Sequence, residues 1–187
     1  EATNSQKRKH KPSTTTLMNT INLTKILEDL VESSSLSFSS MDAECTIQLE
    51  NIGLERFSTP MVQSSSENSC DIKLEWLKWN METTVQSGEI KRNFHPECII
   101  YNLLIQARRQ QQIATHTSSD MGRGRSDVLV QINSGRVEMS YNNKDQVKRF
   151  MVEIVNDVAQ TELKKLILEY LSDQLSKRMS DQLCGCY

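Results

Sequence analysis

Two apolar stripes run along the C-terminal part of this chain, and they do not share one helical face. Val147, Phe150, Met151, Ile154, Val155 and Val158 recur at helical spacing. The pattern is lost around Gln160 to Lys165. It resumes with Leu163, Leu166, Ile167, Tyr170, Leu171, Leu175 and Met179, centred on the opposite side of a helical wheel. No Gly or Pro intervenes. The spacing therefore predicts one long or slightly bent helix over 143–182, buried on different sides along its length. Thr161, Lys164 and Lys165 fall on the seam that a heptad repeat needs, which argues against a long coiled coil. Asn143 to Gln146 has the form of a capping box at the start of this helix.

Immediately upstream, Val128, Val130 and Ile132 alternate with other residues, and so do Val137, Met139 and Tyr141. Asn133-Ser134-Gly135 separates the two sets. Alternation at period two places each set on one face of a strand. The reading is a β-hairpin over 127–141 with an even-numbered loop and Gly135 at positive φ. That register brings all six apolar side chains to one face, whereas an odd loop slips one strand to the wrong face. The first helical stripe covers this sheet. Leu163, Leu166, Ile167, Tyr170 and Leu171 then need another surface. The expectation is a protein partner or a second copy of the chain, bound through the C-terminal helix.

Elsewhere, Cys45 to Glu50 and Asp71 to Trp76 alternate as strands do. The parity changes between Trp76 and Leu77, which predicts a bulge or bend there, with Trp76 and Trp79 anchoring the core. Leu17, Ile21, Ile26, Leu27, Leu30 and Val31 suggest an amphipathic helix over 17–32. His95-Pro96-Glu97-Cys98 followed by Ile99, Ile100, Leu103 and Leu104 suggests another over 97–112, ending in Arg108 and Arg109. The fold class expected is α+β. A small antiparallel sheet, including the 127–141 hairpin, is packed by helices near 97–112 and 143–182. The domain plan is a disordered basic tail (1–16), an amphipathic helix and serine-rich linker (17–40), the α+β domain (41–183) and a frayed C-terminus (184–187).

Chemistry is harder to find. With 187 residues and a net charge of −2, the chain suits one domain and lacks a general basic field for nucleic acid. No apolar run is long enough to span a bilayer, so no membrane partner is expected. Five cysteines at irregular spacing do not form a disulfide framework, which points to a nuclear or cytoplasmic setting. His95, Cys98, Cys184 and Cys186 are formal zinc ligands, but the single residue between the last two is tighter than structural zinc sites use. There is no glycine-rich phosphate loop and no nucleophile-base signature, and no cofactor is expected. Lys7, Arg8, Lys9 and Lys11 form a cluster of the kind that serves as a nuclear localisation signal. Thr59, followed by Pro60 in a polar stretch, fits a proline-directed phosphorylation site. The first residue is Glu, which reads as a segment of a larger protein. The functional expectation is a non-enzymatic protein-interaction or scaffold module with a phospho-regulated loop. The alternatives are a nucleic-acid-associated domain using the basic tail, Arg108, Arg109, Arg123 and Arg125, and an enzyme with dispersed active-site residues.

Overall fold

The computed structural model describes Leu17 and residues 21–42, 45–110, 127–141 and 149–184. Strand dominates it. α1 (Leu23–Ser33) leads into β1 (Leu36–Asp42), β2 (Cys45–Phe57), β3 (Met61–Ser65), β4 (Ser69–Ser87), β5 (Ile90–Phe94), β6 (Glu97–Gln110), β7 (Asp127–Asn133) and β8 (Val137–Ser140). A helical rod follows, made of α2 (Arg149–Val158), a π turn (Ala159–Leu163) and α3 (Lys164–Cys184). The eight strands form one sheet in the order β1-β2-β4-β6-β7, with β3 and β5 paired to β4 and β8 to β6. Every pairing is antiparallel. The expected small sheet between two covering helices is therefore corrected: one large sheet is packed by a single C-terminal rod, with the short α1 beside it.

The helix expected at 97–112 is strand β6, and the reason for the misreading is physical. Cys98 and Ile100 are buried, and then Leu103, Ile105 and Ala107. The buried face switches at Asn102, which sits at φ 53°. A strand that changes face midway places buried residues three apart and so imitates helical periodicity. In β2 the switch falls at Asn51, φ 51°, between Leu49 and Ile52. In β4 it falls at Glu75 and Trp76, where the parity change in the sequence placed it. There the Ser58 hydroxyl accepts from the backbone N–H of Glu75 (2.8 Å) and of Trp76 (3.2 Å). Irregularities of this kind increase strand twist and curl a sheet around what it covers.

The hairpin expected at 127–141 is also corrected. β7 and β8 both pair with β6 and run the same way, with Leu104 opposite Asn133 and Ile100 opposite Val137. They are two parts of one outer strand, interrupted at residues 134–136. Tyr101 N–H donates to the Arg136 carbonyl (3.0 Å), and Gly135 N–H donates to the Tyr101 carbonyl (2.9 Å). Gly135 does not adopt a positive φ. It is needed for close approach instead: a Cβ there would lie 3.0 Å from the Tyr101 carbonyl oxygen and 3.3 Å from Asn102 Cβ. The break changes face, so Val128, Val130 and Val137 are all buried, and Ile132, Met139 and Tyr141 pack against the same core.

The two helical stripes turn out to be one. Met151, Val155, Ala159, Leu163, Ile167, Leu171, Leu175, Met179 and Leu183 are all buried, at a constant spacing of four. Four α-helical residues turn about 400°, so such a row drifts about 40° per step. The wider π turn holds the drift back at Ala159–Leu163. Over α3 the row rotates by about 200°. A helix that lies along a strongly twisted sheet buries a rotating face.

The row one residue further on seals the sheet. Tyr141 OH donates to Asn156 Oδ1 (2.9 Å), Gln160 Nε2 donates to the Val137 carbonyl, and Lys164 Nζ donates to the Gly135 carbonyl (2.7 Å). Ser172 Oγ donates to the Val130 carbonyl. Val130 N–H donates to Ser176 Oγ (3.0 Å) and Val128 N–H to Ser180 Oγ (2.9 Å). An i,i+4 step rises about 6.0 Å and a strand dipeptide about 6.6 Å, so one step matches one outward-facing pair of backbone groups. An exposed edge is an aggregation liability, and here a helix covers it.

At the far end of the rod, α1 closes the core. Asn22 caps α1 by accepting from Lys25 N–H (3.1 Å), and its own N–H donates to Gln182 Oε1 (2.8 Å). Arg178 reaches Asp29 at 3.5 Å. The helix expected at 17–32 thus exists over Leu23–Ser33 and packs on the core through Leu23, Ile26, Leu27 and Leu30.

Candidate binding surface

The structure separates the residues that the sequence singled out. Leu163, Ile167 and Leu171 are buried between rod and sheet. Leu166 and Tyr170 pack partly buried against the same core, and Tyr170 meets Trp79 edge-on at 6.5 Å. These five side chains pack within the chain, three of them fully buried and two in part. His95 is exposed, whereas Cys98 is fully buried. Among the described residues no three His, Cys, Asp or Glu side chains are placed to hold a metal. The Cys184 side chain, Cys186, the basic cluster Lys7, Arg8, Lys9 and Lys11, the capping box, Arg123 and Arg125 lie outside the described residues. Arg108 and Arg109 are consecutive in a strand, so they point to opposite faces and do not form one basic patch.

Thiol chemistry is also suppressed at two buried cysteines. Burial pushes the Cys98 thiol up to about 12. Burial, with the nearby Asp71 charge, pushes Cys70 up to about 11. Both stay protonated at neutral pH, and the thiolate is the reactive form. On the outer face of the sheet an open cleft of ≈ 360 Å³ is lined by Asn51, Asn80, Glu82, His95 and Glu97, among others. It is open, with Met81 and Pro96 adding apolar lining to the polar groups, and beside it Lys78 bridges Glu97 (2.8 Å) and Glu55 (3.3 Å).

One end of the sheet carries exposed apolar and cationic groups on both of its faces, Met41 and Lys91 on one, Ile90 and Arg92 on the other. At this end the last residues of β1 and the first of β2 share rungs with the β4–β5 hairpin. The register runs Met41, Thr46, Gln86, Lys91 across four strands. Directly opposed residues share a face, so Met41 and Lys91 lie on the same side. The next rung runs Ser40, Ile47, Val85, Arg92, with Ile47 and Val85 buried and Arg92 exposed at the sheet's margin. Met41 is 81% exposed and Ile90 38%. Among the described residues neither Lys91 nor Arg92 meets a carboxylate at ion-pair distance. The β4–β5 turn is a two-residue loop, Gly88-Glu89, with Gly88 at φ 58°, the conformation such hairpin loops require. The signal that could have found this end is Gly88-Glu89 set between Val85 and Ile90, a hairpin loop that sequence reasoning passed over.

No protein-family model matches the chain, and no curated protein matches it. Among solved structures it is similar to the crystal structure of lipopolysaccharide binding protein, with a TM-score of 0.61 at 11% sequence identity. The match covers 86% of this chain and 37% of that one. At that identity the likeness shows the fold alone, and the chain spans well under half the length of the protein it resembles. Among the described residues, no helix is long and apolar enough to cross a membrane.

Proposed function

We propose that this chain is a non-enzymatic binding module whose ligand is an anionic amphiphile, met peripherally at the sheet end that carries Met41, Ile90, Lys91 and Arg92. The observation that carries the reading is that each face of this sheet end bears an exposed apolar side chain and a cation, Met41 with Lys91 on one face and Ile90 with Arg92 on the other. Exposed apolar side chains enter the boundary of a lipid layer, and cations beside them attract its anionic headgroups. The fold likeness to lipopolysaccharide binding protein supports the reading by analogy, since folds host many functions. The expectation of no membrane contact is thus narrowed: the contact proposed is at a surface and needs no spanning segment.

The test is co-flotation of the chain with phospholipid vesicles at low salt. Binding to anionic vesicles, weakened by salt and weaker on neutral ones, is the expected result. Each cation near such a surface contributes about 1 kcal/mol, so Lys91→Glu with Arg92→Glu weakens binding by about thirtyfold or more. No flotation, or a double variant that floats like the parent, overturns the proposal.

A protein partner is the second reading, in line with the scaffold role expected from sequence. What supports it is β3, exposed along all five residues, with Met61 at 42% and Val62 at 49% exposure. An extended peptide can add to such an edge through main-chain hydrogen bonds.

A further inference from the structure

We propose that Thr59 is the phosphate acceptor for a proline-directed kinase, and that Ser58 beside it is not. The inference is independent of what the module binds. The chain has three prolines, and Pro12 follows Lys11 while Pro96 follows His95, so Thr59-Pro60 is its one Ser/Thr-Pro pair. The structure sets this pair in the three-residue link between β2 and β3, outside the strand pairing. Pro60 has no N–H to give to a ladder, which keeps the link unpaired.

The two hydroxyls in the link are treated differently by the fold. Thr59 is exposed. Ser58 is half-buried: its oxygen accepts from both Glu75 and Trp76 N–H, and its own N–H donates to the Trp76 carbonyl at 3.0 Å. Ser58 therefore holds the face switch of the central strand and cannot turn outward without giving up the two backbone N–H groups it accepts from.

A kinase needs the acceptor and its neighbours in an extended, detachable segment. β3 supplies that segment. It is exposed throughout, and its register with β4 is irregular between Val62 and Ser64. Segments with few buried contacts open locally at low cost. Arg56, three residues before the acceptor and mostly exposed, is the nearest preceding cation; its one ion pair among the described residues is with Glu55 at 3.6 Å, so a phosphate dianion placed nearby has a cation to attract. In the reaction, Thr59 Oγ1 attacks the γ-phosphorus of ATP. The bond to the β-phosphate oxygen breaks, ADP leaves, and the hydroxyl proton passes to the kinase's base.

The test incubates the full chain with a proline-directed kinase and magnesium ATP, with a Thr-Pro reference peptide in the same reaction. Intact mass and fragment mapping read the products. The expected result is one phosphate per chain, on Thr59, absent in Thr59→Ala and slowed by an order of magnitude or more in Pro60→Ala. Three results would overturn the proposal: an unmodified chain beside a fully converted peptide, phosphate on Ser58, or Pro60→Ala modified as fast as the parent.

Discussion

Deleting Glu169 is expected to abolish cooperative folding, whereas deleting Thr161 is not. Glu169 is exposed, so its side chain contributes little. Its deletion turns every later residue by about 100° and shifts it by about 1.5 Å along the axis. Leu171, Leu175, Met179 and Leu183 then leave the core, and Ser172, Ser176 and Ser180 leave the edge strand they seal. Burying a Leu or Met side chain stabilises by about 1.5–3 kcal/mol, so these four account for about 6–12 kcal/mol. That equals the whole stability of an ordinary domain, about 5–15 kcal/mol. Thr161 differs because it lies in the π turn, which carries one residue more than the α turn it replaces. Removing it restores a regular helix and leaves α2 and α3 where they are, at a loss of no more than about 3 kcal/mol. Denaturant titration followed by circular dichroism separates the two. A Glu169 deletion that still unfolds in one sharp transition would show that the rotational register of the rod is not fixed by the sheet.

Trp79→Ala is expected to cost about 3–5 kcal/mol, the range for truncating a buried Trp or Phe. Trp79 is fully buried on the central strand, at the point where the rod's Tyr170 stands edge-on to it with ring planes at 78°. The substitution opens a cavity between sheet and helix and removes the aromatic pair. Trp79→Phe is expected to recover most of that loss. It keeps a ring against Tyr170 and discards the indole Nε1, which finds no acceptor among the described residues. A buried donor without a partner is a cost, so its removal offsets part of the lost volume. Equal destabilisation in both variants, read from the midpoint and slope of denaturant titrations, would place the energy in the indole nitrogen and not in packing.

How much of this was legible follows from where strands keep or change face. The rod was readable because its apolar residues persist through residues 151–183 with no breaker. Its apparent second stripe was the same row seen after drift, a distinction that a fixed 3.6-residue wheel cannot make. The parity change at Trp76 and Leu77 was readable because both halves of β4 alternate clearly. β6 was not, since its switch at Asn102 converts period two into spacings of three. Asn51 and Asn102 both take positive φ, a conformation asparagine tolerates better than most residues; an Asn within an apolar run was the available warning. The Asn133-Ser134-Gly135 break carried a genuine turn signal. The long β6 overrode it by offering one continuous partner to both segments. The proposed binding surface was invisible for another reason. Met41 and Lys91 are far apart in sequence, and only the β1-β2-β4-β5 register brings them onto one rung.

The claim on which the fold reading turns is that the C-terminal rod is an internal part of the sheet, closing its outer edge, and not a helix held out for a partner. Amide hydrogen exchange at Val128 and Val130 tests it most directly. Both N–H groups belong to the outermost strand and point away from β6, where a bare edge exchanges rapidly. The structure pairs them with Ser180 and Ser176. Protection comparable to that of the central strand β4 is predicted, with Ser180→Ala releasing Val128 selectively. Exchange of both amides at the rate of the open strand β3 would contradict the account.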